Sequence, residues 1–514
     1  MNLGGMVKGF LPRGWGNPYQ SNDTDRKRQR RARSRSFAVD EDRGLGPYFR
    51  EEIRLDNRDM MRNVAAVFAG LMRFANGVVG TGVRPEPMTD DEGWNEKAKA
   101  LYLMRNANVD ARGRVNMRLM QRLAVIHRML DGELLMVKRP DMRLMPIEAE
   151  RVQTPAAVAK RSDLNVVEGI RLGRDDNPLG AYVCPRKKSS GAVDLGRYEY
   201  IKWEDLFYLG DPVRIDSLRS VSPIASVIET LQMRGDYNLA TLVKARAESM
   251  RVWAIYEDEA DVPPGYEDRS AGGTFVEPSA AGQTEPAMVR KKLDFGEVWK
   301  GTKGEKIESI ANVTPGQQYE PFNVSLLTDF AAALGIPYEV LMLCIAKASF
   351  AGARAIMEVA EHTWSQWRQW LIDDFIQRDW NWCTWMMMRN GLLGPAPVDK
   401  VTGLSQWNHV LWIPPKKVIW DPRTDSESQR KELVYGTQSV SGILVSRGTT
   451  AREVFSQRRR DMILAIEESR RVTEATGVEV DWHEIMDLNQ TVKKAPPKDG
   501  KIRGASAPAD LGGE

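Results

Sequence analysis

The sequence predicts an α+β protein built from several domains. Its 514 residues are enough for about three domains of ordinary size. Apolar residues recur at helical spacing in several long stretches, and short apolar runs bounded by Gly, Pro and Asp predict strands between them. Because 42% of the residues are hydrophobic and 28% are charged, most of the chain should fold around apolar cores.

The N-terminal segment differs from the rest in composition, and we predict a disordered basic arm over residues 1–45. Its dense like charges repel one another and favour an extended chain, and no apolar periodicity accompanies them. Two interpretations stay open, a solvated tail and an arm that contacts nucleic acid or an acidic partner. The candidate contact residues are seven cations within ten positions: Arg26, Lys27, Arg28, Arg30, Arg31, Arg33 and Arg35.

The region from Tyr48 to about Ser220 is predicted to mix helices and strands. An apolar face from Met60 to Phe74 predicts a helix that stops at Gly77. Further helices and short strands follow, with strand ends set by Gly, Pro and Asp. The predicted helices are 92–106 and 115–130, and the predicted strands are 134–137, 144–147, 166–172, 181–183, 198–201 and 206–209.

The second half of the chain is predicted to be mainly helical. Ser222 and Pro223 are typical of a helix start, and the helix should run to about Met250. An exposed acidic excursion over 257–287 carries eight acidic residues and one basic residue. The later expectations are short strands near 289–293 and 306–310, helices over 326–334, 352–389 and 426–439, a turn at Gly442, a last helix over 450–473, and a flexible tail over 476–514.

The sequence contains no phosphate-binding loop of the standard pattern, no GxSxG or HExxH hydrolase motif and no Cys/His metal-ligand cluster. Three dispersed cysteines and four histidines offer no zinc site, and we expect neither a metal nor another cofactor. The segment Gly296–Lys303 approaches a phosphate-binding loop, but its Lys and Thr are transposed. The adjacent Asp373 and Asp374 do not share a helix face. We therefore expect no catalytic residues and, without an apolar run of about 18 residues, no membrane span.

Tryptophans concentrate in the predicted helix 352–389, which holds six of the 15 in the chain. We favour core and subunit-interface packing for Trp364, Trp367 and Trp370, because aromatic rings at helical spacing usually bury area in this way. Stacking on single-stranded bases is the alternative. It is weaker because only Arg368 and Arg378 are interleaved with these rings.

The chain resembles the lambda-type portal proteins of tailed bacteriophages. The segment Leu334–Glu339 followed by Ser349–Ala355 matches the family's LG(V/I)PYE turn and the SSARAAL opening of a long helix. Other motifs fall in the family's order over roughly residues 45–475. They are Arg62-Asn63, Val78–Gly82, Asp131–Glu133, Met145–Glu148, Thr154-Pro155, Val221–Ile224, Pro315–Gln317, Asp421-Pro422 and Gly442–Arg447.

The resemblance implies a ring of about twelve subunits at one capsid vertex, with double-stranded DNA passing through its centre. Implied partners are other copies of the chain, the terminase large subunit, the major capsid and scaffolding proteins, and the head-completion or adaptor proteins. Implied locations are the virion and, during assembly, the host cytoplasm. Two alternatives remain, a non-channel DNA-binding structural protein of the virion and, less favoured, a DNA-processing enzyme.

The family's parts can be carried onto this chain. They predict a wing with mixed helices and strands, a two-helix stem, a small clip containing β-strands, and a helical crown. The expected boundaries are wing 46–221, first stem helix 222–250, clip 251–321, second stem helix 322–336, tunnel loop 337–351, long wing helix 352–393, and linker with crown 394–475.

The tunnel loop supplies the candidate channel residues. The resemblance implies that Lys347 and Arg354 face the DNA, so ring symmetry would multiply each charge. A net charge of +3 suits a conduit along which DNA slides. The family usually has small and polar residues where this chain has the apolar stretch 341–346, so Ile345 is expected to pack on a neighbouring subunit.

Overall fold

Residues 41–249, 254–255, 291–293, 296–300, 316–345, 349–416 and 421–486 are described by the structure, a computed structural model. The chain divides into two compact units, Met1–Trp412 and Ile413–Glu514. Helices and small sheets share the first unit, while helices dominate the described part of the second. The predicted α+β class is therefore confirmed. In the parts of the chain described, no helix is both long and apolar enough to cross a membrane.

The described part of the first unit opens with four helices, interrupted by one short strand, whose ends are set by local signals. In α3 and α4 the side chains of Asp91 and Asn116 accept hydrogen bonds from backbone N–H groups three residues later, at 3.0 and 2.9 Å. Gly132 then ends α4 in the left-handed conformation, with φ of 86°. The helices are α1, Glu41–Asn63; α2, Ala65–Val79; α3, Glu92–Asn106; and α4, Met117–Asp131.

Two antiparallel sheets follow α4. In the first, β2 lies between β3 and β8, and in the second the strands run in the order β4-β5-β6-β7. Helix α5, Ala156–Ala159, precedes the second sheet, and β1, Arg84–Pro87, pairs elsewhere with β12, Val410–Ile413. The strands are β2, Leu134–Lys138; β3, Leu144–Ile147; β4, Val166–Val167; β5, Ile170–Leu172; β6, Pro178–Val183; β7, Glu199–Lys202; and β8, Leu206–Leu209.

Where it is described, the remainder of the first unit is mainly helical. A 3-10 turn, Pro223–Val227, leads into α6, Ile228–Ser249. The short strands are β9, Ala254–Ile255; β10, Lys291–Leu293; and β11, Gly296–Lys300. The later helices are α7, Tyr319–Leu334; α8, Tyr338–Met342; α9, Phe350–Leu371; and α10, Gln377–Arg389. A π-helical turn, Ile372–Ile376, joins α9 to α10, so helical structure continues from Phe350 to Arg389 as predicted.

The main hydrophobic core of this unit gathers α2, α4, α7 and the α9–α10 helix. Its fully buried side chains include those of Phe74, Met120, Phe330, Phe375 and Trp380. Burying such large aromatic and aliphatic groups is the main contribution that holds these helices together. A smaller core lies between the two sheets and includes Leu135, Ile147 and Val183.

The second unit is helical where it is described. Asp421 caps α11, Pro422–Val434, and Thr450 caps α13, Ala451–Thr476, by accepting hydrogen bonds from backbone N–H groups. Helix α12 is Val440–Ser446 and α14 is Trp482–Ile485. In α13, Ala465 is buried whereas the neighbouring Ile463 and Leu464 are exposed.

The structure corrects several predicted boundaries. Helix α1 begins at Glu41, within the predicted arm, and is kinked at Gly46 with φ of 66°; Leu45 and Ile53, on the two sides of this kink, are buried in one cluster. Helix α2 continues through Gly77 to Val79, since that glycine serves close packing against Trp364 and does not end the helix. The predicted turn at Gly442 lies inside α12, which Ser439 caps. The predicted tail 476–514 contains the short helix α14, and its residues from 487 onward, like the strand expected at 306–310, lie outside the described residues.

Candidate functional site

The first candidate site is a two-helix hairpin formed by α6 and α7, the segments predicted as stem helices. Ser222 begins it, with its side chain accepting a hydrogen bond from Ile224 N at 3.3 Å. The rings of Tyr237 and Tyr319 stack with centroids 5.7 Å apart, and Phe322 meets Tyr237 edge-on at 4.9 Å. These aromatic contacts hold the two helices side by side beyond the core.

Burial changes along the hairpin. Near its base Leu231, Phe330 and Leu334 are at most 2% exposed. Farther along α6, Leu239, Leu242 and Val243 are 63%, 65% and 59% exposed. Positions 239, 242 and 243 are spaced to share one helix face, so the outer part of α6 presents an apolar stripe to the surface. Such a stripe can bind another protein surface.

The segment after α7 was predicted as a tunnel loop over 337–351, but its first part is a packed helix. Gly335 ends α7 with φ of 68°, and α8 buries Leu341 completely. A Cβ atom on Gly70 would come 2.6 Å from Leu341 Cδ1, so that glycine allows α8 to lie close against α2. Arg73 donates a hydrogen bond to Leu341 O.

The structure describes some of the predicted channel and arm residues but not others. Ile345 is partly buried against the main core of its own chain. Arg354 lies in the first turn of α9, where its Nε is 3.2 Å from Glu358 Oε1. Lys347 and the arm cations from Arg26 to Arg35 lie outside the described residues. The DNA-facing roles of all these residues, and the intersubunit packing of Ile345, stay predictions.

Of the three tryptophans assigned to packing, Trp364 is buried in the first unit, and Trp367 and Trp370 are partly buried against the same core. Trp364 is 9% exposed and covers Gly77. The guanidinium of Arg128 lies between Trp367 and Trp370, with ring centroids 3.9 and 4.0 Å from its Cζ. Trp370 Nε1 donates to Gly210 O at 3.2 Å. Their packing within the chain is clear, whereas their part in subunit contacts stays a prediction.

A buried ion network at the base of the hairpin escaped the sequence analysis. Arg219 Nε donates to both carboxylate oxygens of Glu133, at 2.7 and 3.0 Å, and Arg54 Nη2 donates to Glu133 Oε1 at 2.7 Å. Arg58 binds Asp131 and Glu150 at 2.9 and 2.7 Å. These bonds tie α1 and the turn after α4 to the segment that leads into the hairpin.

The network perturbs the pKa values of its carboxylates. Burial alone would raise the pKa of Asp131, but hydrogen bonds from His127 and Arg58 outweigh it and hold the pKa below its usual value. Burial opposes ionisation of Glu133 in the same way, and the charges of Arg219 and Arg54 lower its pKa nonetheless. Both carboxylates are therefore ionised at neutral pH, and the network is a set of charge-assisted bonds.

One sequence signal could have indicated this network. Arg50, Arg54 and Arg58 recur every four residues along α1, which places three cations on one face of a helix. Arg50 and Arg54 are 2% and 5% exposed. Because cations are rarely buried without anionic partners, such a row predicts carboxylates opposite it.

A second missed charge cluster fixes the long helix to α3. Asp379 accepts hydrogen bonds from Arg105 Nη1 and Nη2 at 2.8 and 2.9 Å, and from Tyr102 Oη at 2.8 Å. Its side chain is fully buried, so the bidentate pair sets the register between α10 and α3. Over the described residues, no group of His, Cys, Asp and Glu side chains could hold a metal ion.

Comparison with known proteins identifies the family. Residues 24–368 match the family described as "Phage portal protein, lambda family". This match spans more than half of the chain, and the protein belongs to that family.

Individual relatives are distant. A "Probable portal protein" of Halomonas phage phiHAP-1 is 23% identical over 333 residues, covering 62% of this chain and 59% of the phage protein. The match thus spans less than two thirds of that relative's length. Among solved structures, "Neck of empty GTA particle computed with C6 symmetry" has 15% identity, covers 77% of this chain and 94% of its own, and has a TM-score of 0.37. "Neck of native GTA particle computed with C12 symmetry" has 14% identity, covers 77% and 93%, and has a TM-score of 0.36.

Proposed function

We propose that this protein assembles into a closed ring at one capsid vertex and forms the channel through which double-stranded DNA is packaged and ejected. The observation that carries the proposal is membership of the lambda portal family, shared over residues 24–368. The protein then acts as a conduit and docking platform without catalysing a reaction of its own.

The hairpin supports ring formation. A closed ring uses head-to-tail contacts, in which one patch of a subunit meets a different patch of the next. The exposed stripe of Leu239, Leu242 and Val243 is a suitable first patch, because burying it would remove apolar area from water at about 25 cal/mol per Å². The ion network and the buried base of the hairpin would hold this stripe at a fixed angle.

The proposed division into parts follows the family. Helices α6 and α7 form the stem, the chain between them forms the clip, and the segment after α7 crosses toward the DNA. Residues 46–221 and the α9–α10 helix form the wing, and the helices of the second unit form the crown. Because α8 packs against α2, the part of the crossing segment available to DNA is shorter than residues 337–351.

Charge supports a channel through which DNA moves. Each phosphate neutralised by a bound cation adds to affinity, so a strongly basic channel would hold the DNA in place. The chain carries a net charge of only +3. Lys347 and Arg354 are the proposed channel cations, and at a Debye length of about 8 Å in physiological salt their contacts with phosphate would be weak and exchangeable.

Packaging requires partners besides DNA. The proposed partners are the terminase large subunit, the capsid and scaffolding proteins, and the head-completion or adaptor proteins. The proposed sites of action are the capsid vertex and, before that, the host cytoplasm.

Light scattering of the purified full-length protein tests the proposal. At micromolar concentration and without nucleotide we expect particles many times the 58.0 kDa mass of one chain, at low and at moderate ionic strength. A monomer under all these conditions would contradict ring formation.

A further inference from the structure

An aromatic groove lies on the first unit and is lined by none of the hairpin residues. It consists of two adjoining hollows of about 360 and 850 Å³ that share Trp385 and Trp407 in their walls. The smaller hollow adds Phe207 and Trp382, and the larger adds Met388 and Leu393. Trp385 is 47% exposed, although Trp is usually among the most buried side chains on average.

The walls of this aromatic groove are held in place from behind. Trp380 Nε1 donates to Trp407 O at 2.9 Å, and Trp94 Nε1 donates to Gly394 O at 3.1 Å. Gln377 Nε2 donates to Asn408 O at 3.1 Å. A groove that is already formed binds a ligand at a lower entropy cost than one that must be ordered on binding.

Cations surround the aromatic groove. Lys138 Nζ lies 4.5 Å and Arg378 Cζ 5.6 Å from the Phe207 ring centroid, and Arg389 Cζ lies 5.3 Å from that of Trp385. Lys97 lines the larger hollow. Lys138 donates to a backbone carbonyl, Glu204 O at 2.7 Å, and throughout the described ranges no carboxylate lies within ion-pair distance of these four cations. Acidic groups act on this rim only from longer range, Glu204 and Asp205 on Lys138 and Asp374 on Arg378, so the four cations are without a direct ion pair among the described residues.

We propose that the aromatic groove binds an extended, acidic segment of another protein that inserts two bulky apolar side chains, one into each hollow. The four cations match acidic residues beside the anchors, and exposed Trp flanked by Arg is typical of the residues that dominate binding energy at protein interfaces. The proposal does not depend on ring formation.

Single-stranded nucleic acid is the competing ligand. Base-stacking surfaces combine aromatic rings with a basic path that follows the backbone. Here the larger hollow is walled in part by Met388, Leu393 and Pro395, whose side chains offer no ring face for a base. Aliphatic walls suit apolar side chains better, so we favour the peptide.

Fluorescence anisotropy with the full-length protein tests this proposal. The probes are labelled, glutamate-rich peptides of roughly a dozen residues. Each peptide carries two tryptophans, and the number of residues between them differs from one peptide to the next. We expect at least one spacing to bind with Kd of roughly 10–100 μM. Replacing its glutamates with lysines, or its tryptophans with alanines, should weaken binding at least about tenfold.

Two variants of the protein test whether the peptide binds in the aromatic groove. Trp385→Ala and Arg378→Glu should each weaken binding about tenfold or more, since both side chains are exposed and neither supports the core. Arg174→Glu, a charge reversal at an exposed residue outside the groove, is the matched control and should bind as the unaltered protein does. Circular dichroism checks that all three fold.

Three results would overturn the proposal. They are the absence of binding by every peptide spacing, binding that Trp385→Ala and Arg378→Glu leave unchanged, and an oligothymidylate that binds more tightly than the acidic peptides and loses affinity in the same variants. The last result would assign the aromatic groove to single-stranded nucleic acid.

Discussion

Gly77 shows how a single residue can be misread from sequence alone. It lies in the last turn of α2, where a Cβ atom would overlap the ring of Trp364. A glycine near the end of a helical pattern can be a C-cap or can serve close packing, and the sequence alone does not show what lies opposite it. The glycine instead permits close approach between α2 and α9, and the helix continues for two more residues.

This packing leads to a stability prediction. Gly77→Ala should lower the free energy of unfolding by about 1–3 kcal/mol, because the added methyl group forces the Trp364 ring to move. Urea unfolding at a fixed protein concentration measures the change. The same substitution in a Trp364→Leu background should cost less, since the two effects share one contact.

Gly93→Ala is the matched control. A Cβ atom there would lie at an ordinary 3.4 Å from Asp91 Oδ1, so this change should be neutral or slightly stabilising. Equal losses for Gly77→Ala with and without Trp364 would contradict the account.

Asp131 gives a pH-dependent prediction. Its pKa in the folded protein lies below the ordinary 3.8, so its stabilising effect is complete above that pH and is lost as pH falls through the folded value. Asp131→Asn should therefore be less stable at neutral pH, by about 3 kcal/mol for a broken buried pair, and should lose less stability in acid. Glu133 and Glu168 titrate in both proteins, so their effects cancel in the comparison.

Urea midpoints between neutral pH and the acid limit test this prediction. The difference between the two proteins should shrink as pH falls below 3.8. Asp163→Asn, at an exposed ion pair, is the control and should change little. Parallel curves for Asp131→Asn and the unaltered protein would contradict the account of the ion network.

At the scale of elements, prediction from sequence succeeded where the signal was local. Helix α3 and the strands β3 and β8 have the predicted bounds, because capping residues and turns mark their ends. The ion network was missed because its partners lie far apart in sequence: Arg54 and Glu133 are separated by 79 positions and Arg219 and Glu133 by 86. No local pattern pairs such residues.

For residues 337–351, the sequence marked the end of the preceding helix α7 but gave no sign of helix α8. Leu341 fills a site against α2 in its own chain, while the expected packing of Ile345 on a neighbouring subunit stays a prediction. Gly335 and Pro337 marked the end of α7 correctly, whereas the single turn of α8 is too short to give a helical pattern. Short helices of this kind depend on tertiary packing.

The apolar stripe on the outer part of α6 leads to a prediction about ring assembly. Leu242→Asp should shift the protein from rings to monomers at micromolar concentration, because a carboxylate buried at the proposed contact lacks a partner. Leu242→Met is the matched control and should assemble normally. Light scattering measures the mass, and circular dichroism should show both variants folded. Rings of undiminished stability from Leu242→Asp would exclude this stripe from the interface.

At the scale of the whole molecule, charge is distributed unevenly along the chain. Basic residues number 73 and acidic residues 70, yet seven cations fall within positions 26–35 and eight anions within 257–287. Such blocks influence encounters with charged partners more than they influence the fold. The nearly balanced total agrees with a channel that lets DNA pass.

Deleting residues 1–40 tests the arm. Rings should still form, while non-specific DNA binding should weaken and its salt dependence should fall. Seven cations on phosphate contribute a slope of up to about −6 in log K against log salt, at roughly 0.9 per neutralised phosphate. A neutral Gly/Ser segment of equal length is the control for chain length. An unchanged slope after deletion would show that the arm does not contact DNA.

Negative-stain imaging of the purified, full-length protein tests whether this chain forms a DNA channel. We expect closed rings with a central hole wide enough for double-stranded DNA, in the absence of nucleotide, and their loss in Leu242→Asp. Particles that are monomeric, or oligomers that are closed without a hole, would contradict the proposal that this protein forms a DNA channel.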